Sequence, residues 1–290
     1  MDAIASSASN VRGVMVLDRH ADPVHNRLVL TFVGSAGAVA EAAFRCAARA
    51  GELIDLRRHS GVHPRIGATD VVPFVPLGAT PMAVCVELAR RVGRRIAAEL
   101  GLPVYLYGEA AARPERRRLP DIRGGGFEEL SGRIAEPGYA PDFGPARVGP
   151  AGATAVGARH FLVAYNVTLA TADLAVARSV ARAVRESSGG LPAVQARGFP
   201  TADPDIMQVS MNLLDTTRTP LHVAFARVAE EAARHGVPVV ASELVGLVPA
   251  AVVAETTRHA VRLPVLSSSG IVESRLLEVA LSALAPPAEP

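Results

Sequence analysis

The spacing of apolar residues switches along the chain between two and about four, and each switch marks an element. Val14–Leu17 and Leu28–Val33 read as short strands, with the polar stretch Asp18–Arg27 as the loop joining them. From Ala36 to about Arg57, the residues Val39, Ala43, Cys46, Ala50 and Ile54 form one apolar stripe, which predicts a helix; Gly61 and Pro64 end any helix there. Val71–Val75 is extended. Thr80-Pro81 predicts a helix start, with the hydroxyl as cap and proline in the first turn. Val84, Leu88, Val92, Ile96 and Leu100 then recur every four residues until Gly101, and Leu102–Tyr107 is a strand.

The same order returns downstream. His160–Leu169 is a strand and Thr171–Glu186 a helix. Asp205–Leu214 is a strand with Gln208, Ser210 and Asn212 on one face and Val209, Met211 and Leu213 on the other. Thr219-Pro220 starts a helix that runs to His235, Gly236 stops it, and Val237–Val240 is a strand; Leu276–Leu284 closes as a helix. Between these series, Gly124–Gly126 and the glycines and prolines of 137–152 form a region rich in turn residues, which puts a domain boundary near Ala158. The expected fold class is α/β or α+β, built as two related halves with helices against sheets.

Composition narrows the chemistry. With 290 residues, 49% of them hydrophobic, the chain has room for two domains of ordinary size, roughly 100–200 residues each. Thirty basic and 28 acidic residues leave a net charge of +2, spread along the chain, which gives no footprint for nucleic acid or an anionic membrane. Cys46 and Cys85 form no metal-type pair and fit a reducing compartment. Met1–Arg12 lacks the basic cluster and apolar core of a signal peptide, and no run of about 18 apolar residues occurs, so the expected location is cytoplasmic. The sequence contains no lysine; every basic side chain is arginine. Schiff-base chemistry and a Walker phosphate loop are thereby excluded, whereas carboxylate recognition by guanidinium forks is not.

The densest polar stretch is His59-Ser60-Gly61-Val62-His63-Pro64-Arg65-Ile66-Gly67-Ala68-Thr69-Asp70. The spacing of His59 and His63 matches helical zinc ligands, but Pro64 disfavours helical geometry at His63, and no third ligand follows at a recognised distance. No metal is expected. General acid–base work suits His63 better, because an imidazole titrates near neutrality and the glycines and proline would hold it in a rigid loop. The stretch Asp18–Arg27 also carries His20, Asp22 and His25; turn chemistry around Asp22-Pro23 accounts for it as well as a site does. Arg113, Arg116, Arg117 and Arg118 read as a solvated basic run.

Taken together, these stretches resemble the glutamate formimidoyltransferase family, including the transferase half of formimidoyltransferase-cyclodeaminases. The resemblance is carried by His25-Asn26-Arg27 with Thr31–Gly34, by His63–Phe74, by Val104–Ala110 and by Pro141-Asp142-Phe143-Gly144-Pro145. Further matches are Gly152–Arg159, Gln208–Asp215 and Leu244–Pro249. It implies transfer of a formimidoyl group from N-formimidoyl-L-glutamate to N5 of tetrahydrofolate, a co-substrate, in histidine degradation. It implies two subdomains, 1–159 and 160–290, each a mixed β-sheet with helices on its outer face, the sheets facing across a folate cleft, commonly within a homodimer.

By the same resemblance, His63 is the catalytic residue. The folate-binding stretch is Gly144, Pro145, Ala146, Arg147, Val148, Gly149, Pro150, Ala151 and Gly152. Asn26, Arg27, Arg65, Asp70 and Asn212 join them as substrate- or cofactor-binding residues, with Arg27 and Arg65 expected on carboxylates and Asp70 expected to orient His63 or balance an amidinium. Family members usually begin with a strand carrying a VPNFSEG-like motif, and Met1–Ile4 does not match it, so the expectation is either that translation starts upstream or that a first strand and some site residues are missing. A monofunctional transferase is expected. The alternatives are a non-catalytic folate-binding paralogue and another folate one-carbon enzyme on the same scaffold.

Overall fold

The structure is a computed structural model and describes residues 1–22, 26–61 and 64–277. The chain divides into two compact units, Met1–His160 and the part from Phe161 onward. The first unit opens with helix α1 (Asp2–Ser9), whose Ala8 packs against Ala42 beside Val11. Next comes a hairpin of β1 (Val14–Asp22) and β2 (Arg27–Gly34), antiparallel, with His20 opposite Val29 and Asp22 opposite Arg27. The polar stretch expected as a loop is therefore strand as far as Asp22. Pairing satisfies the backbone of Asp18, Arg19 and His20 despite their low strand preference, and alternate residues of β1 face solvent.

Helix α2 (Ala36–Leu53) is capped by Ser35, whose hydroxyl accepts from the Ala38 amide. It ends earlier than expected, because the Asp55 carboxylate takes the Arg57 amide at 3.1 Å and starts a separate 3₁₀ turn, Leu56–Arg58. Ala43 and Ala50 of the expected stripe are buried, joined by Ala40, Ala42, Phe44 and Ala47. Helix α3 (Met82–Leu100) begins after Pro81, so Thr80 is not its cap. Leu88, Val92 and Ile96 are buried as expected. Val84 is exposed and Cys85 takes its place in the core. Gly101, in left-handed geometry with φ 65°, ends the helix.

The central sheet of this unit has three parallel strands in the order β3-β5-β4: β3 (Val71–Phe74), β4 (Val104–Gly108) and β5 (Thr154–Ala158). The middle strand, Thr-Ala-Val-Gly-Ala, is buried throughout and lacks the bulky residues that mark strands in a sequence. Small residues suit it, since both faces are covered. Val156 and Ala158 join the core of α2 and α3, whereas Ala155 joins Tyr105, Tyr107, Leu130 and Ile134 on the other face. Leu130 belongs to α5 (Gly126–Arg133), which follows the single turn α4 (Leu119–Ile122) inside the region read as glycine- and proline-rich.

Within the basic run, Arg116 is the exception to solvation. It is buried and forms an ion pair with Asp142 at 2.8 Å, both side chains 7% exposed, while the second Asp142 oxygen accepts the Leu106 amide at 2.8 Å. Asp142 thus fastens the Pro141–Pro145 stretch to β4. Removing one partner strands the other charge in the interior. Asp142→Ala is expected to cost about 3–5 kcal/mol, read as a fall of roughly 10 °C in thermal midpoint by circular dichroism; an unchanged midpoint would show that the pair carries no strain-free hold on β4.

The second unit contains β6 (Val163–Leu169), α6 (Leu174–Val184), β7 (Val194–Pro200), β8 (Met207–Leu213), α7 (Leu221–Arg234), β9 (Val239–Val245) and α8 (Ala250–Ala260). Its sheet has the order β7-β8-β6-β9, and the strands of that sheet pair antiparallel. Val167, Leu169, Val209, Met211 and Leu213 pack with the helical residues Val180, Val184, Ala224 and Val228 into one core. The expected division of β8 holds, with Gln208, Ser210 and Asn212 on the face away from that core. Strand β7 carries Gln195, Arg197, Gly198 and Pro200 and reads poorly as a strand; an edge position tolerates its proline. Thr219 does not cap α7 but donates its hydroxyl to the Pro192 carbonyl at 2.6 Å, and Gly236 at φ 69° follows the helix end. The closing helix expected over Leu276–Leu284 falls outside the described residues from 278 on. No helix among the described residues is long and apolar enough to cross a membrane.

Candidate active site

The site residues of the first unit gather around the stretch that runs from His59 into β3. His63 and His25 lie outside the described residues; Pro64–Asp70 and Asn26 do not. Asn26 adopts φ 48°, a left-handed geometry that asparagine tolerates, and donates its side-chain amide to the Ser60 carbonyl at 2.7 Å. His59 Nε2 donates to the Asn26 carbonyl at 3.2 Å, so the end of the hairpin is stitched to the loop in both directions.

Beyond Pro64 the loop is fixed by backbone contact with the 149–153 stretch. Ala68 N–H donates to the Ala151 carbonyl and Ala153 N–H to the Ile66 carbonyl, each at 2.8 Å. Leu56 N–H donates to the Pro150 carbonyl, also at 2.8 Å. Two glycines permit this approach. A Cβ on Gly67 would lie 1.8 Å from the Ala153 carbonyl oxygen, and one on Gly152, at φ 74°, would lie 2.2 Å from that of Ile66. The structure therefore joins the predicted catalytic loop to the predicted folate stretch, an arrangement that no local pattern in the sequence announces.

Along Gly144–Gly152, Gly144, Ala146, Arg147, Gly149 and Pro150 are exposed, Pro145, Val148 and Ala151 half-buried, and Gly152 buried. Arg65 is mostly buried. Its fork holds the Glu128 carboxylate at 2.8 and 3.2 Å and also donates to the His59 carbonyl at 2.8 Å. Asp70 accepts the Ile66 amide at 2.9 Å on one oxygen and pairs with Arg123 through the other. Burial pushes the Asp70 carboxyl above the usual carboxylate range, against the pull of Arg123, the Ile66 amide and the charge of Arg27 at the start of β2.

Tyr107 and Arg159 belong to the same constellation. Burial raises the Tyr107 phenol, opposed first by the charge of Arg159 and then by that of Arg123. Its ring crosses the middle strand where a Cβ on Gly157 would lie 2.4 Å from it, so glycine is required there. Arg123, Glu128, Tyr107 and Arg159 were not among the expected site residues. Tyr107 and Arg159 fall inside matched stretches, which was the available signal; Arg123 and Glu128 flank a run of glycines and carry none.

Asn212 is exposed on the open face of β8, in the second unit. Asn166, opposite Ser210 on that face, donates to Glu243 of β9 at 3.2 Å. Among the described residues no group of three or more His, Cys, Asp or Glu side chains is placed to hold a metal ion.

Residues 1–159 match the family model described as formiminotransferase domain, N-terminal subdomain, and residues 164–285 match that of the formiminotransferase domain. The chain belongs to the formiminotransferase family. A glutamate formimidoyltransferase of Thermoplasma acidophilum is 45% identical over 281 residues, covering 96% of this chain and 91% of that protein. One from Streptococcus pyogenes serotype M1 is 43% identical over 251 residues, covering 86% and 84%. The formimidoyltransferase-cyclodeaminase of Rattus norvegicus is 44% identical over 256 residues, 86% of this chain but 47% of its own length. The chain thus aligns over most of the length of relatives named for the transfer alone, and over about half of a relative named for two activities.

Proposed function

We propose that this chain catalyses transfer of the formimidoyl group from N-formimidoyl-L-glutamate to N5 of tetrahydrofolate, releasing L-glutamate, as a step of histidine degradation. What carries this reading is the identity of 45% and 43%, over most of both chains, to two proteins named glutamate formimidoyltransferase. Small molecules are its partners, and it acts in the cytoplasm as a homodimer; unpaired Cys46 and Cys85 suit a reducing compartment.

In this reading a bond forms between N5 and the formimidoyl carbon, and the bond from that carbon to the glutamate nitrogen breaks. N5 loses a proton as it attacks, and the departing nitrogen must gain one. His63 accepts the first and delivers the second, work suited to an imidazole that titrates near neutrality. Tetrahydrofolate supplies the nucleophilic nitrogen. Gly144, Ala146, Arg147, Gly149 and Pro150 are exposed beside the loop, and the exposed Arg147 suits the anionic tail of a folate. Arg27 and Arg147 are assigned to substrate carboxylates. Asn26 and Asn212 are assigned to polar contacts with substrate. Arg65, with its fork on Glu128, and Asp70, tied to Ile66 and Arg123, hold the loop that follows His63.

The test is turnover of N-formimidoyl-L-glutamate with tetrahydrofolate by purified protein, followed by absorbance after conversion of the product to its methenyl form. Turnover is expected. Binding of tetrahydrofolate with no transfer would replace the enzyme reading with that of a folate-binding protein.

A further inference from the structure

The stretch that follows His63 is gripped at two points by one neighbouring segment. Arg65 holds Glu128 with both arms of its fork, and Asp70 holds Arg123. The loop carries a base and then an acid, five residues apart, and so does the partner segment. Because the two run in opposite senses, every charge meets its opposite. A one-step slip of either segment would break both pairs at once.

The two rungs differ. Asp70 and Arg123 have side chains 19% and 18% exposed, and the free oxygen of Asp70 takes the Ile66 amide, closing the turn from 66 to 70. Arg65 is 16% exposed but its partner Glu128 is 65% exposed, at the first turn of α5. Between Arg123 and Glu128 lie Gly124, Gly125 and Gly126, the last two at φ 76° and 69°, and a Cβ on Gly126 would lie 3.4 Å from the Arg65 carbonyl oxygen. The glycines let this segment turn sharply and lie against the loop.

We propose that Arg123 and Glu128 are positioning residues for the transfer reaction: their ion pairs with Asp70 and Arg65 fix the 64–70 stretch, which follows His63 directly in the chain. The proposal rests on the acid–base reading of His63 given above. Neither residue touches reacting atoms. Their effect is on how often the catalytic group is in reach, and small misplacements of such groups cost rate rather than affinity.

The experiment measures turnover and backbone amide hydrogen exchange over 64–70 in the wild type, in Arg123→Gln and Arg123→Lys, and in Arg65→Glu, Glu128→Arg and their combination. In Arg123→Gln, kcat is expected to fall about 10- to 100-fold with both KM values within about threefold, and the 64–70 amides to exchange at least about tenfold faster while those of β8 do not change. Arg123→Lys should recover most of the loss. Each single reversal of the outer pair should lower kcat, and the double reversal should restore at least about half of it. A wild-type kcat in Arg123→Gln, unchanged exchange over 64–70, or a double reversal no better than the singles would overturn the proposal. Absence of turnover in the wild type would instead sink the transferase reading, and the exchange comparison would then decide the grip on its own.

Discussion

Replacing His63 with alanine is expected to lower formimidoyl transfer by at least about a hundredfold while tetrahydrofolate binding is retained. The reaction moves a proton off the attacking nitrogen and onto the leaving one, and the amine nitrogen of glutamate departs badly as an anion. Without a positioned acid–base group both transfers fall to water, and general acid–base catalysis typically contributes about 10²–10⁴-fold. The measurement is steady-state turnover beside a tetrahydrofolate titration on the same preparation. Loss of turnover with intact binding assigns the proton transfers to His63. Turnover near the wild-type level would remove them from it, and the acid–base part of the mechanism would have to be sought elsewhere in the cluster.

Gly152→Ala is expected to destabilise the first unit strongly. Its backbone is left-handed, which costs a side-chain-bearing residue about 1–2 kcal/mol, and the new Cβ would meet the Ile66 carbonyl oxygen at 2.2 Å and the Gly67 Cα at 2.8 Å. Backbone cannot yield as a flexible side chain does. The loop and the 149–153 stretch must separate, with loss of the Ala153-to-Ile66 and Ala68-to-Ala151 hydrogen bonds. A total of about 2–4 kcal/mol follows, visible as a drop of roughly 5–15 °C in thermal midpoint, together with a rise in the KM for tetrahydrofolate. Gly149→Ala is the control, since a Cβ there would meet nothing within 4 Å. If the two variants behaved alike, the close contact between the catalytic loop and the folate stretch would not matter to the protein.

The elements that were legible in the sequence share one property: their own side chains are buried in a regular pattern. The Leu88, Val92, Ile96 row of α3 and the alternation of β8 follow from periods that any chain segment carries within itself. Where the pattern failed, neighbours had overruled it. Strand β5 reads Thr-Ala-Val-Gly-Ala because helices cover one face of it and Tyr105 and Tyr107 the other, leaving no room for the large aliphatic and aromatic residues that usually mark a strand. Strand β1 extends through Asp18–Asp22 because β2 supplies hydrogen-bond partners. Arg116 lies buried inside a run of arginines because Asp142, twenty-six positions away, neutralises it.

The candidate site divides in the same way. The sequence by itself determined the residue types and their order: a histidine before a proline, glycines at fixed places, arginines with no lysine, and the family to which these belong. Only the tertiary structure decided which of them act together. Asp70 is paired with Arg123, 53 residues away, and Arg65 with Glu128, 63 residues away. Periodicity is a property of contiguous backbone, so it survives in sequence. An ion pair between distant segments depends on two close backbone approaches, at Gly67 and Gly152, and on the hand of a glycine turn at 124–126; none of these leaves a pattern until the chain has folded.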